Sequence, residues 1–148
     1  MKPYAFPKPE HLCRKRDIEA LFSAGSHAFT VYPVRAVFRR VPRSTPTGPA
    51  VQVLISVAKR RLHHAVDRNR AKRQLREAYR LNKAILTAVV PEGESLHVGF
   101  IWLAERPVDS RTVAARIPLL LHRIAERLTD PERNASTAPA AETSSPTP

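Results

Sequence analysis

KRRLHHAVDRNRAKRQLREAYRLNK, residues 59–83, is the stretch of the chain that decides the fold. Ten of its residues are Lys or Arg, whereas only Asp67 and Glu77 are acidic. We place Arg68 at zero on a helical wheel. The arc from about 40° to 140° then contains Lys72, Arg73, Arg76, Arg80, Lys83 and Asn69, and Arg70 lies at about 200°. The arc from about 260° to 360° contains Ala71, Leu75, Ala78, Ile85 and Leu86. The pattern predicts a helix that docks one side on other elements and exposes a cationic side.

The segments before this helix predict further regular elements. Residues 14–24 show helical spacing at Ile18, Leu21 and Phe22. From about residue 31 the period becomes two, and residues 34–39 and 51–57 show the alternation of half-buried strands. Between these two strands, residues 41–50 form a turn-rich loop with three prolines and one glycine.

The segments after it complete an α+β fold. The long helix is predicted over residues 65–89, and residues 97–104 form an apolar strand. Ser110 is a candidate N-cap for a last helix, and Pro118 predicts either a kink or a helix start nearby. The apolar stripe of this helix comprises Val113, Ile117, Leu120, Leu121, Ile124 and Leu128. This order predicts helices packed on a small sheet.

Length and composition favour one domain. We assign residues 1–128 to it and residues 129–148 to a disordered tail rich in Pro, Ala, Ser and Thr. The start of the chain lacks the pattern of a signal peptide, and no apolar run reaches the length of about 18 residues that a membrane span needs. Cys13 is the only cysteine, so no internal disulfide can form. We therefore expect a cytoplasmic protein without a membrane partner.

The charge of the chain points to a polyanionic partner. Lys and Arg total 25 against 13 Asp and Glu, which gives a formal net charge of +12. Arginine pairs bidentately with phosphate and stacks on bases, and the amide of Asn69 suits ribose hydroxyls or base edges. A solvated helix held by ion pairs would need more acids than residues 59–83 contain. The segment therefore predicts binding to structured RNA.

The same stretch resembles a known family. SVAKR at residues 56–60 and AVDRNRAKRQLREAYR at residues 65–80 resemble the signature of the bacterial ribonuclease P protein subunit. In that family a strand ending in V-x-K-K/R leads into a helix with A-V-x-R-N-R-x-K-R-x-x-R-E. The resemblance extends to Phe6-Pro7-Lys8, Leu12, Asp17-Ile18, Leu21-Phe22 and residues 97–107, and it covers about residues 4–128.

The resemblance implies both a fold and a function. The fold would be an α-β-β-β-α-β-α sandwich on a four-stranded mixed sheet, with a left-handed crossover around the long helix. The chain would be an accessory subunit of ribonuclease P, an endonuclease in which a catalytic RNA removes the 5′ leader of precursor tRNA. The partners would be the catalytic RNA and the leader, with no obligate protein partner. Mg²⁺ would be held mainly by RNA, and no protein residue would be catalytic or bind a metal.

The resemblance also implies two sets of contact residues. A cleft between the first helix and the sheet would receive the leader through Phe6, Phe22 and Arg35. The catalytic RNA would contact Lys59, Arg60, Arg68, Asn69, Arg70, Lys72, Arg73, Arg76 and Arg80.

The chain departs from the family pattern at three places. Residues 61–64 replace a turn that usually contains glycine, and Ile18 stands where Phe is frequent. Ala36 occupies a strand position where an aromatic can line the leader cleft. With fewer stacking platforms, we expect leader binding to depend more on Phe22, Arg35 and positive charge.

The residues alone argue against one alternative function and leave two others open. An independent nuclease would need clustered carboxylates or a paired histidine acid and base, and the sequence offers neither arrangement. A ribosomal or ribosome-assembly protein would show the same composition and the same basic helix. A DNA-binding module would bind duplex DNA and structured RNA with comparable affinity.

Overall fold

The computed structural model describes residues 10–12, 14–23, 26–42 and 48–129. Phe6 lies outside these ranges, as does the predicted tail except for its first residue, Thr129, which ends the last helix. The elements, in chain order, are α1 (Lys15–Leu21), β1 (His27–Val31), β2 (Val34–Pro42), β3 (Val51–Ser56), α2 (Ala65–Asn82), α3 (Ala84–Thr87), β4 (Glu94–Trp102) and α4 (Ser110–Thr129).

The strands form one mixed sheet in the order β1-β2-β4-β3. β1 pairs with β2 and β2 pairs with β4, both antiparallel, whereas β3 runs parallel to β4. Parallel neighbours need a crossover connection, and α2 and α3 supply it. The α+β fold with a four-stranded mixed sheet is thereby confirmed, and the left-handed sense of the crossover stays a prediction.

One face of the sheet is covered by α2 and α4. Phe38 of β2, together with Phe100 and Trp102 of β4, is almost fully buried beneath these helices. Tyr79 of α2 packs on Phe100 with ring centroids 6.0 Å apart. All six residues of the predicted α4 stripe are buried, as are Ala71, Leu75, Ala78 and Leu86 from the predicted buried arc. The apolar periodicity of both helices is therefore confirmed.

The opposite face of the sheet is covered in part by α1. Leu21 is fully buried there and packs with Leu12 and Val37. A side chain at Gly99 of β4 would place its Cβ 3.1 Å from Cδ2 of Leu21 and 3.4 Å from Cζ of Phe22. Glycine at this position lets the end of α1 lie close to the sheet.

Several predicted boundaries were wrong. The family resemblance implied three strands before the long helix, but periodicity did not locate β1, because β1 has only five residues with mixed exposure. A two-residue turn, Tyr32–Pro33, separates it from β2. The strand predicted over residues 97–104 begins three residues earlier, at Glu94. Nor does a helix start at Pro118, since α4 runs through it from Ser110. The buried stripe on both sides of Pro118 holds the helix in place despite the missing N–H.

The long helix is also shorter than predicted and ends at Asn82 instead of residue 89. The side-chain amide of Asn82 donates to the carbonyl of Ala78. The carbonyl of Lys83 then accepts from the backbone N–H groups of both Leu86 and Thr87, which marks the tightened start of α3. The chain thus continues as a second short helix.

Lys83 is a structural residue, although the wheel placed it on the cationic side. Its side chain is 11% exposed, and Nζ donates to both carboxylate oxygens of Glu10 at 2.8 and 3.1 Å. This ion pair joins the end of α2 to the segment that precedes α1. Helical periodicity cannot predict such an ion pair, because the two residues are far apart in the sequence.

We predict that Lys83→Met lowers the free energy of unfolding by about 1–3 kcal/mol, because Glu10 would keep its charge in a largely buried place without this cation. Urea unfolding at neutral pH measures the change. Lys59→Met is the matched control, and it should stay within about 0.5 kcal/mol since Lys59 is exposed. Equal stabilities of the two variants would contradict a structural role for Lys83.

Candidate nucleic-acid interface

The loop between β3 and α2 fixes the start of the arginine-rich helix. Leu62 is buried in the core, and its backbone N–H donates to the carbonyl of Ala58. Nη1 of Arg68 donates to the carbonyls of Leu62 and His63 at 3.0 and 2.9 Å. The guanidinium of Arg68, the first arginine of the predicted motif, therefore holds the loop that replaces the family's glycine-containing turn.

The exposed part of the predicted site lies on α2 and on the turn before it. Arg70, Arg73 and Arg76 are exposed, and none has an ion pair or hydrogen bond within the described residues. Asn69 is exposed beside them. We call this the α2 cationic surface, and its members are Lys59, Arg60, Asn69, Arg70, Arg73 and Arg76.

Two predicted residues sit at the edge of this surface. Lys72 is half-buried. Arg80 is paired with Glu77 at 2.6 Å, and this hydrogen bond lowers the pKa of the Glu77 carboxyl and raises the pKa of Arg80. Part of the charge of Arg80 is therefore already balanced within the protein.

Tyr79 is a core residue that the sequence prediction missed. It is fully buried between α2 and the sheet. Burial raises the pKa of its hydroxyl, and the carboxylate of Glu10 adds to the shift. The helical wheel places Tyr79 next to Lys72, so the pattern did not assign it to the buried arc. A large aromatic side chain can nevertheless reach the core from this position.

The predicted leader residues lie on the other face of the sheet. Phe22, at the end of α1, is 47% exposed and lies against Gly99, so it is available as a stacking platform. Arg35 is exposed on β2, opposite Ile101 in the register. Phe6 lies outside the described residues.

Ala36 does not face this side of the sheet. It is fully buried in the core beneath α2 and α4, because residues alternate between the two faces along β2. The expectation that this position lines the leader cleft was therefore wrong. Arg35 and Val37 are the neighbouring residues that point toward α1.

A polar cleft of about 440 Å³ opens between α1 and one end of the sheet. Asp17 of α1 and Arg14, which immediately precedes α1, line one side, and Gln52 and His97 line the sheet side. Burial lowers the pKa of His97; the carboxylate of Asp17 opposes this shift, and Arg39 adds to it. Sequence reasoning missed His97 as a cleft residue, because it lies in a strand that reads as apolar.

Acidic and metal-ligating side chains are dispersed. Within residues 10–12, 14–23, 26–42 and 48–129, no group of three or more His, Cys, Asp or Glu lies together so that it could hold a metal ion. Among the described helices, none is long and apolar enough to cross a membrane.

The fold and this surface define a class: a small basic α+β protein that presents an arginine-rich helix to solvent, as RNA-binding proteins do. The family model described as Ribonuclease P matches residues 6–115. A ribonuclease P protein component from Porphyromonas gingivalis is 39% identical over 123 residues, which cover 82% of this chain and 88% of that protein. The chain belongs to the ribonuclease P protein family and is an accessory subunit of the ribonuclease P holoenzyme, an endoribonuclease.

Solved structures agree with this family. The ribonuclease P protein from Thermotoga maritima is 27% identical with a TM-score of 0.57, over 77% of this chain and 96% of that chain. The ribonuclease P protein from Staphylococcus aureus has a TM-score of 0.56 at 18% identity, over 79% of this chain and 95% of that chain, and it supports the fold. A ribosomal protein, the alternative that the residues left open, is therefore disfavoured.

We predict that Arg68 and Arg70 differ in function although both belong to the arginine-asparagine-arginine motif. Arg68→Ala should lower the free energy of unfolding by about 1–2 kcal/mol, because it removes two hydrogen bonds to the loop. Arg70→Ala should stay within about 0.5 kcal/mol while weakening RNA binding. Urea unfolding and RNA titration of both variants measure this. An unchanged stability of Arg68→Ala would show that the loop does not depend on it.

Proposed function

We propose that this chain binds the catalytic RNA of ribonuclease P through the α2 cationic surface. The observation that carries this proposal is the exposure of Arg70, Arg73 and Arg76 without acidic partners in the described part of the chain. Because the buried side of α2 is packed on the core, the helix cannot rotate, and its arginines point in a fixed direction toward solvent. Lys59 and Arg60 extend the surface into the preceding turn, and Arg68, Lys72 and Arg80 support its border.

The chemistry of the surface suits RNA phosphates. Each planar guanidinium offers a pair of parallel donors to phosphate oxygens. Neutralising phosphates releases condensed counterions, so affinity should fall steeply with salt. Asn69, between two arginines, donates and accepts at once and suits a ribose hydroxyl or a base edge.

The 5′ leader of precursor tRNA is the second proposed ligand, and we assign it to the sheet face next to α1. Half-exposed Phe22 offers a ring to a base, while Arg35 offers a charge to the backbone. The polar cleft with Arg14 and His97 lies on the same side of the sheet. A single strand suits this face, because its bases are unstacked and can reach the ring.

In this proposal, the RNA and not the protein catalyses the cleavage that removes the leader. The described residues bring no cluster of carboxylates that two metal ions about 3.5–4 Å apart would need. We therefore propose that Mg²⁺ is held mainly by RNA and that the protein contributes positive charge and position. A cytoplasmic location remains a prediction from composition.

Reconstitution tests the main proposal. Adding the purified chain to the catalytic RNA at low Mg²⁺ should stimulate removal of the leader from precursor tRNA, because the protein offsets phosphate repulsion. No stimulation would overturn the assignment. Duplex DNA at matched salt serves as a competitor, and equal affinity for it would indicate a general polyanion binder.

The salt dependence of binding identifies the surface. Arg70→Ala with Arg73→Ala should reduce the slope of log affinity against log salt by up to about one for each phosphate that the variant no longer neutralises. Arg40→Ala is the matched control, since Arg40 lies at the end of β2 and pairs with Glu94 at 2.9 Å. A wild-type slope in the double variant would place the RNA elsewhere.

The leader assignment predicts a substrate-dependent effect of Phe22→Ala. Affinity for precursor tRNA with a leader should fall by about 1–3 kcal/mol, the value of one base stack, while affinity for mature tRNA stays unchanged. Tyr32→Ala is the control, because Tyr32 is 58% exposed but lies in the turn between β1 and β2. Equal losses for both tRNAs would argue against a leader contact at Phe22. Holoenzyme binding of the two substrates measures the difference.

A further inference from the structure

A groove of about 340 Å³ runs between α2 and the start of α4. Arg70 and Arg73 line it from α2, and Ala114 lines it from α4. Leu81, also in the lining, is 48% exposed and supplies a larger apolar side chain. The groove thus combines an apolar wall with two cationic residues of the α2 cationic surface.

Two polar side chains of the groove, Gln74 and Ser110, are bonded to each other within the protein. The amide nitrogen of Gln74 donates to the carbonyl of Val108 and to the hydroxyl of Ser110, both at 2.8 Å. These bonds tie α2 to the start of α4. A preformed groove loses little conformational entropy on binding.

One backbone carbonyl on the α4 side lacks its usual helical donor. Pro118 has no N–H, so the carbonyl of Ala114 lacks the donor that a helix normally supplies four residues later. Ala114 is a lining residue. An exocyclic amino group or a ribose hydroxyl of a bound nucleotide would be a suitable donor for this oxygen.

We propose that this groove holds one unpaired nucleobase of the catalytic RNA, with the flanking phosphates on Arg70 and Arg73. This inference rests on the proposed function of the α2 cationic surface and names the kind of nucleotide that the surface receives. The base would pack against Leu81 and Ala114. Bases extruded from loops and bulges are the usual target of specific RNA recognition, and they stack on apolar or guanidinium surfaces.

Charge favours this occupant over an apolar peptide or a second copy of the chain. Arg70 and Arg73 are exposed without partners in the described residues, and a second copy with a net charge of +12 would bring more like charge. Glu77 also lines the groove, but it is paired with Arg80. Its carboxylate can in addition accept from a base amino group.

Filling the groove without changing charge tests the proposal. Ala114→Phe should weaken binding to the catalytic RNA about tenfold, which is about 1.4 kcal/mol, while the salt slope stays at its wild-type value. Ala115→Phe is the matched control, because Ala115 is the exposed neighbour on α4 and is absent from the groove lining. Its affinity should equal that of the wild type. Thermal melting followed by circular dichroism checks that both variants fold.

A second pair of variants removes apolar surface and does not depend on Ala114→Phe folding. Leu81→Ala should weaken binding severalfold, whereas Leu119→Ala should not, although Leu119 is similarly exposed at 52%. Base-specific chemical probing of the RNA should show an unpaired nucleotide that the wild type protects and Leu81→Ala leaves reactive. Equal affinities and equal probing patterns within each pair would overturn the groove assignment.

The outcomes separate this inference from the function on which it rests. If the wild type neither binds the RNA nor stimulates processing, both proposals fail. If the wild type does both and Ala114→Phe matches Ala115→Phe, only the groove assignment fails. Unchanged RNA affinity with altered self-association of Ala114→Phe would also overturn it, and would assign the groove to a second copy.

Discussion

The packing of α2 between the sheet and α4 is the constraint on which the other features depend. Leu75, Ala78 and Tyr79 have no more than 4% of their surface exposed, and Tyr79 contacts Phe100 in the central strand β4. A helix fixed on one side can present only its remaining side to a partner. The direction of Arg70 and Arg73 is therefore set by residues buried in the core. The groove described above lies between α2 and the start of α4.

The loop before α2 is also held in place by contacts with the core and with α2. Leu62 is buried in the core, and Arg68 bonds two loop carbonyls. One arginine of the motif thus orders the chain, while Arg70, two residues later, remains exposed. One motif can thus contain both a structural arginine and an exposed one, because neighbouring residues on a helix point about 100° apart.

The spacing of apolar residues correctly predicted which sides of the helices are buried. The α4 stripe and most of the buried side of α2 follow from apolar spacing, since burial of apolar area dominates their placement. Tyr79 and Lys83 did not follow, because both have long side chains that reach contacts set by tertiary structure; Lys83 pairs with Glu10, which is distant in sequence. The residues of β1 were not located from the pattern either, although the family resemblance implied a strand there, because a short strand of mixed exposure carries little periodic signal. The alternation along residues 34–39 already placed Ala36 on the same face as Val34 and Phe38. The wrong expectation for Ala36 came from the family resemblance.

The two candidate RNA surfaces lie on opposite sides of one thin sheet. The α2 cationic surface belongs to the layer above it, whereas Phe22 and Arg35 belong to the α1 side. A single RNA strand cannot occupy both sides without passing around an edge, so the two surfaces are suited to different RNA segments. The chemistry of the two surfaces also differs. The α2 cationic surface has clustered guanidinium groups, which suit a folded RNA backbone, whereas the α1 side has one aromatic ring and one arginine, which suit unstacked bases. Under the proposed function, the catalytic RNA and the leader would therefore not compete for the same surface, because occupation of one side of the sheet leaves the other side open.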